Sequence, residues 1–137
     1  MKIHIINGPN LNLLGKREPE IYGYQSFQEY VDELQQKYND IEISYFQSNS
    51  EGELVSELQE SDDNVEGMVI NAAAYTHTSI AIADAVRAIS TPVVEVHISN
   101  VFQREPFRHH SYIAPHCLGS ISGFGLKVYD LAIQSLI

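Results

Sequence analysis

Two residues apart in this sequence stand Glu95 and His97, in the run Glu95-Val96-His97-Ile98-Ser99-Asn100. On an extended strand such neighbours share a face, so the carboxylate can orient the imidazole, which suits the pair to general acid/base chemistry. The same pair would also be half of a metal site. A metal needs three or four ligands, and the only obvious recruit is His77, with no Cys partner in range and no repeated His spacing. Proton transfer is the better reading. Two further stretches carry amides, hydroxyls and a histidine: Asn7-Gly8-Pro9-Asn10-Leu11-Asn12, and Asn71 followed by Tyr75-Thr76-His77-Thr78-Ser79. Singly, Asn and Ser are ordinary turn and cap residues, and Ser79 or Thr78 could cap a helix. Three such clusters, each following an apolar run, point to a site.

Arginine placement indicates what the site would hold. Arg17, Arg104 and Arg108 fall in loop or loop-edge segments, in a chain with only eight Lys plus Arg, and they imply a small anionic ligand. The four-residue spacing of Arg104 and Arg108 would stack both guanidinium groups on one side of a helical turn. Arg87, inside a helical pattern, reads as surface charge. The segment from about 15 to 23, Gly15-Lys16-Arg17-Glu18-Pro19-Glu20-Ile21-Tyr22-Gly23, has glycine at both ends and no apolar periodicity, as a lid loop would. His4 reads as structural, His109 and His110 as lid or packing residues, and His116 and Cys117 carry no legible role.

Composition narrows the classes. Eighteen Asp plus Glu against eight Lys plus Arg give a formal charge of −10, which argues against nucleic acid or an anionic membrane as partner. One cysteine forms no intrachain disulfide, the first residues lack the apolar core of a signal peptide, and no apolar run reaches membrane-spanning length, so a cytoplasmic location is expected. Gly8-Pro9-Asn10 lacks the glycine spacing and lysine of a nucleotide cradle, and no Gly-x-Ser-x-Gly elbow occurs. Neither cofactor nor metal is called for.

The elements that must position these residues are legible from periodicity. Five β-rich runs stand at Ile3 to Ile6, Ile41 to Phe46, Gly67 to Asn71, Val93 to Ile98 and Leu118 to Ser122. Phe27, Tyr30, Val31, Leu34 and Tyr38 mark one face of a first helix, and Leu54, Val55 and Leu58 mark a second. Ile80, Ala83, Val86 and Ile89 make a third, ending before Pro92, and Leu126, Tyr129, Ala132, Ile133 and Leu136 make the last. Between the fourth and fifth strands helix content is short. Alternation of this kind predicts one α/β domain over residues 1–137, a three-layer sandwich around a five-stranded parallel sheet. Ligands of such sheets bind beyond the carboxyl ends of the strands, where the polar clusters fall.

The strings Ile6-Asn7-Gly8-Pro9-Asn10-Leu11-Asn12, Leu14-Gly15, Arg17-Glu18-Pro19 and Tyr22-Gly23 resemble the opening of type II 3-dehydroquinate dehydratases. Asn71 to Ser79, Glu95 to Asn100, Arg104-Glu105 and Phe107-Arg108-His109-His110-Ser111-Tyr112 resemble the remaining family motifs, in order. The resemblance implies a flavodoxin-like lyase. It would dehydrate 3-dehydroquinate to 3-dehydroshikimate by anti elimination through an enolate, in the shikimate pathway or in quinate breakdown. It assigns Tyr22 as base with Arg17 beside it on the lid, His97 as acid, Glu95 as its orienter, and Asn10 as holder of a water on the enolate oxygen. Asn71, Ile98 through its backbone, and Ser99 would grip the substrate carboxylate, and His77 and Arg108 the ring hydroxyls. Arg104 would stand at the rim, and Asp84 would reach a neighbouring subunit's site in a dodecamer built from trimers. The rivals are a flavodoxin-like carrier without enzymatic activity and a metal-dependent lyase using Glu95, His97 and His77.

Overall fold

The computed structural model describes residues 1–16, 20 and 25–137 of the chain. Strand β1 (Lys2–Asn7) pairs in parallel with β2 (Glu42–Gln47) on one edge and β3 (Gly67–Asn71) on the other. β4 (Val93–His97) adds to β3, and β5 (Gly119–Ser122) to β4, again in parallel, giving the order β2-β1-β3-β4-β5. Strands with neighbours on both edges and helices on both faces have no side to expose to water. That is why β3 and β4 are buried at every residue and β1 at all but its first.

Four α-helices lie among the described residues: α1 (Phe27–Lys37), α2 (Glu51–Ser61), α3 (Ile80–Ala88) and α4 (Lys127–Leu136). The first three begin where a serine hydroxyl accepts a backbone N–H three residues on: Ser26 from Glu29, Ser50 from Glu53 and Ser79 from Ile82. Side-chain alternation along the strands divides the core. Ile3, Ile5, Val69, Val94 and Val96 pack with α1 and α4, whereas Ile6, Met68, Ile70 and Val93 pack with α2 and α3. The fold is flavodoxin-like, with its topological switch between β1 and β3. The expected strands and helices all occur, with ends within about three residues of the sequence reading. His4, on the α2 side of β1, takes the Ser44 hydroxyl at 2.6 Å and meets Glu57 at 2.7 Å, which ties two strands to a helix.

Between β4 and β5 the chain forms three short 3-10 turns, Val101–Gln103, Pro106–His109 and Ala114–His116. This segment folds back over the carboxyl edge of the sheet. Tyr112 N–H donates to Thr76 O at 3.0 Å and His77 Nδ1–H to His110 O at 2.7 Å, binding it to the loop after β3.

The turn after β1 depends on a missing side chain. Gly8 N–H donates to Asn71 O at 2.7 Å, and a Cβ on Gly8 would lie 2.6 Å from Ala72 O. Backbone cannot retreat there as a flexible side chain would. Gly8→Ala is expected to cost about 1–3 kcal/mol in urea unfolding, whereas Gly119→Ala, with nothing within 4 Å of its Cβ, should change stability by less than about 0.5 kcal/mol.

Candidate active site

At the carboxyl ends of β1, β3 and β4 opens a cavity of about 220 Å³. The loop after β1 supplies Pro9, Asn10, Leu11, Leu13 and Leu14; the end of β3 and its loop supply Asn71, Ala73, Ala74 and His77. His97, Ile98, Ser99, Val101, Arg104 and Arg108 complete the wall from β4 onward. Eight of the residues singled out in the sequence therefore share one cavity: Asn10, Asn71, His77, His97, Ile98, Ser99, Arg104 and Arg108. Glu95 stands behind His97. Asp84 is exposed on α3, outside the lining. Arg17 and Tyr22, with most of the expected lid, lie outside the described residues.

The Glu95–His97 pair is formed as the strand spacing requires. His97 Nε2 lies 2.6 Å from Glu95 Oε1, with Glu95 only 1% exposed and His97 8%. An acceptor-only carboxylate fixes the proton on Nε2, which leaves Nδ1 as the nitrogen for a ligand. His77 stacks beside His97, ring centroids 6.2 Å apart. Its Nδ1–H is taken by His110 O, so neutral His77 offers Nε2 as an acceptor. Burial pushes the His77 pKa below its ordinary value of 6.5, against the opposing pull of the His110 carbonyl. Among the described residues no three His, Cys, Asp or Glu side chains cluster as a metal would require.

On the opposite face of the sheet Asn71 is held through its amide. Asn71 Nδ2–H donates to Tyr129 Oη at 2.9 Å, Tyr129 O–H donates to Asn7 Oδ1 at 2.8 Å, and Asn71 Oδ1 accepts Ala73 N–H at 3.1 Å. Burial pushes the Tyr129 phenol far up, so it remains a donor. Two backbone positions beside the cavity are left-handed without being glycine: Asn10 at φ 70° and Ala73 at φ 53°. Asn is among the residue types that visit this conformation most readily after Gly; Ala is not, and strain of this kind gathers where a ligand must be met.

The two cavity arginines are not stacked on one helical turn. Arg104 is extended (φ −111°, ψ −167°) after the turn Val101–Gln103, and Arg108 belongs to the next turn, which begins at Pro106. Proline and the extended residue break the helix that the spacing suggested. Glu105 joins the two instead, at 3.8 Å from Arg104 Nε and 3.2 Å from Arg108 Nε. Its own backbone N–H, then Arg108, hold the Glu105 carboxyl below the usual range. Arg104 also donates to Ser99 Oγ at 3.4 Å. No acidic side chain among the described residues lines the cavity, so in a chain of charge −10 it is a local positive site. Cys117, pushed up to about 12 by burial and then by the charge of Glu95, is no nucleophile.

The sequence reading missed three kinds of residue. Pro9, Leu11, Leu13, Leu14 and Val101 give the cavity its apolar wall. Tyr129 was legible only as a core residue of the last helix. Ser111, whose hydroxyl is 2.9 Å from both Glu95 oxygens, has no local pattern to reveal a partner sixteen residues away.

A histidine–carboxylate pair opening on a positive pocket at the switch edge of a flavodoxin-like sheet is an arrangement suited to an enzyme that moves protons. Known proteins specify which kind. The family model described as dehydroquinase class II matches residues 1–137. A protein of Exiguobacterium sp. named 3-dehydroquinate dehydratase is 54% identical over 138 residues, covering 100% of this chain and 94% of its own. The crystal structure of a type II dehydroquinase from Butyrivibrio crossotus superposes with a TM-score of 0.94 at 48% identity, covering 99% of this chain and 97% of that one. That of a type II dehydroquinase from Propionibacterium acnes gives 0.93 at 41% identity, covering 98% and 94%. The chain belongs to the class II dehydroquinase family.

The lowered His77 pKa has a measurable sign. Because the folded ring binds its proton more weakly than the unfolded one, His77 should be neutral at pH 7 and titrate by NMR with a midpoint below 6.5. Its contribution to stability then declines as pH falls through the unfolded value. A midpoint above 6.5 would contradict the lowering by burial, and one above 7 would make His77 mostly a cation at pH 7.

Proposed function

We propose that this chain is a 3-dehydroquinate dehydratase, forming 3-dehydroshikimate and water by anti elimination through an enolate. The observation that carries the reading is the buried Glu95–His97 pair opening on a cavity rimmed by Arg104 and Arg108. Loss of a hydroxyl β to a ketone requires a base for the α proton, a partner for the enolate oxygen, and an acid for the departing oxygen. His97 is the acid. In its charged form the ring keeps its Nε2 proton, hydrogen-bonded to Glu95, and delivers the Nδ1 proton to the hydroxyl as the C–O bond breaks. Glu95 compensates the imidazolium and keeps the ring in line.

Asn10, at the mouth of the β1 loop, holds a water on the enolate oxygen. Asn71, the backbone of Ile98, and Ser99 bind the substrate carboxylate; His77 and Arg108 bind ring hydroxyls, and Arg104 closes the rim. Co-location of these side chains in one cavity supports the assignment. Tyr22 is the base on sequence grounds. A free phenol, with pKa near 10, is a poor acceptor at neutral pH, and a guanidinium within about 4–6 Å lowers such a pKa by about 1–3 units, the role given to Arg17. No step calls for a metal or an organic cofactor. The reaction is placed in the cytoplasm, in aromatic amino-acid synthesis or quinate breakdown. Among the described residues no helix is long and apolar enough to cross a membrane.

Adding 3-dehydroquinate to the protein should produce enone absorbance, unchanged in rate by exhaustive chelation; no new absorbance would overturn the function. Tyr22→Phe should lower kcat by at least about 10²-fold with KM within a fewfold, and a rate near wild type would remove Tyr22 as base.

The chain is further proposed to act as a dodecamer built from trimers, in which Asp84 reaches a neighbour's cavity. Exposed Ile80, Leu118 and Phe124, at 61%, 66% and 77%, support burial by other copies. Sedimentation should show one large species, and Asp84→Ala should lower activity; a fully active monomer would refute the assembly.

A further inference from the structure

Ser111 is the most fully committed hydroxyl near the site, though it does not line the cavity. Its oxygen accepts the backbone N–H groups of Ile113 at 3.2 Å and Ala114 at 3.0 Å. With both lone pairs occupied, its single hydrogen is left to donate, and both oxygens of Glu95 lie 2.9 Å away. The direction of the bond is therefore fixed by the backbone and not by the carboxylate. Glu95 has three rotatable side-chain bonds, and its other side-chain partner is His97, the ring that it is required to align. A carboxylate held only by the group it orients can swing with that group. We infer that Ser111 is a positioning residue for the proton donor, a strut that holds Glu95 so that Glu95 can hold His97.

Where Ser111 sits strengthens the inference. Tyr112 N–H to Thr76 O and His77 Nδ1–H to His110 O flank it, so the hydroxyl stands on backbone pinned on both sides to the loop after β3. The same segment carries Arg104 and Arg108 into the cavity wall. Substrate contacts and the alignment of the acid thus share one support. Accepting two N–H groups would by itself make Ser111 an ordinary turn residue, opening the turn Ala114–His116; donation to a buried carboxylate is the feature that such a turn does not need.

The inference rests on His97 being the acid, and the experiment separates the two claims. Steady-state kinetics with 3-dehydroquinate are compared for Ser111→Ala, Ser111→Thr, Glu95→Gln, the double variant Ser111→Ala/Glu95→Gln, and His97→Ala. Ser111→Ala should lower kcat by roughly 10- to 100-fold with KM within about twofold, as loss of a supporting hydrogen bond does at other histidine sites. Ser111→Thr, which keeps the hydroxyl, should recover most of the rate. In the Glu95→Gln background Ser111→Ala should add no further loss, because the strut acts through the carboxylate. Additive losses, or a Ser111→Ala kcat within about twofold of wild type, overturn the strut. Should Ser111→Ala fail to fold, Ser111→Cys, of similar shape but a weak donor, replaces it under the same criteria. A nearly unchanged rate in His97→Ala instead overturns the acid assignment, whereas an inactive His97→Ala beside a fully active Ser111→Ala overturns the strut alone.

Discussion

A carboxylate with 1% of its surface exposed has to be met by hydrogen-bond donors, and the arrangement around Glu95 follows from that constraint. Period-two geometry on β4 turns His97 toward it, and the returning segment before β5 brings Ser111 from the other side. Neither donor is optional. If one were lost, the buried carboxylate would retain a single side-chain anchor. Binding and chemistry are thereby tied to packing: the bonds that satisfy Glu95 also decide which nitrogen of His97 is available to a ligand.

The two faces of the sheet contribute differently. On the α4 side, Asn7, Tyr129 and Asn71 form a chain of neutral hydrogen bonds that sets an amide at the cavity floor. On the α2 and α3 side, Glu95, His97 and Ser111 form a charged chain. Asn71 from the first chain and His97 from the second line the same cavity at the carboxyl edge. Left-handed Asn10 and Ala73 lie at that edge, where turning the chain away from the sheet without filling the cavity outweighs a conformational cost of about 1–3 kcal/mol.

Electrostatics sets the cavity apart from the rest of the chain. The chain is strongly acidic, yet its described cavity wall presents two arginines and no acid. Glu105 sits between the arginines at the exposed rim, where it neutralises part of their charge without occupying the pocket. An anion entering the cavity finds guanidinium groups already oriented, which lowers the ordering cost of binding.

Much of this was legible in the chain. Apolar runs flanked by helical periodicity determined the five parallel strands and the four α-helices of the described residues, because hydrophobic period is a local property. Spacing alone put Glu95 and His97 on one face, and the order of motifs carried the family resemblance. Contacts between distant segments were not legible. Arg104 and Arg108 follow a helical spacing but are joined through Glu105 across a proline-broken turn; Tyr129 reads as core until its hydroxyl is found between two asparagines. Ser111 reads as one serine in a polar string. A hydrogen bond is decided by position and angle in three dimensions, so residue types and intervals determined the elements and the Glu95–His97 pair, while only the tertiary structure decided which buried groups hold that pair in place.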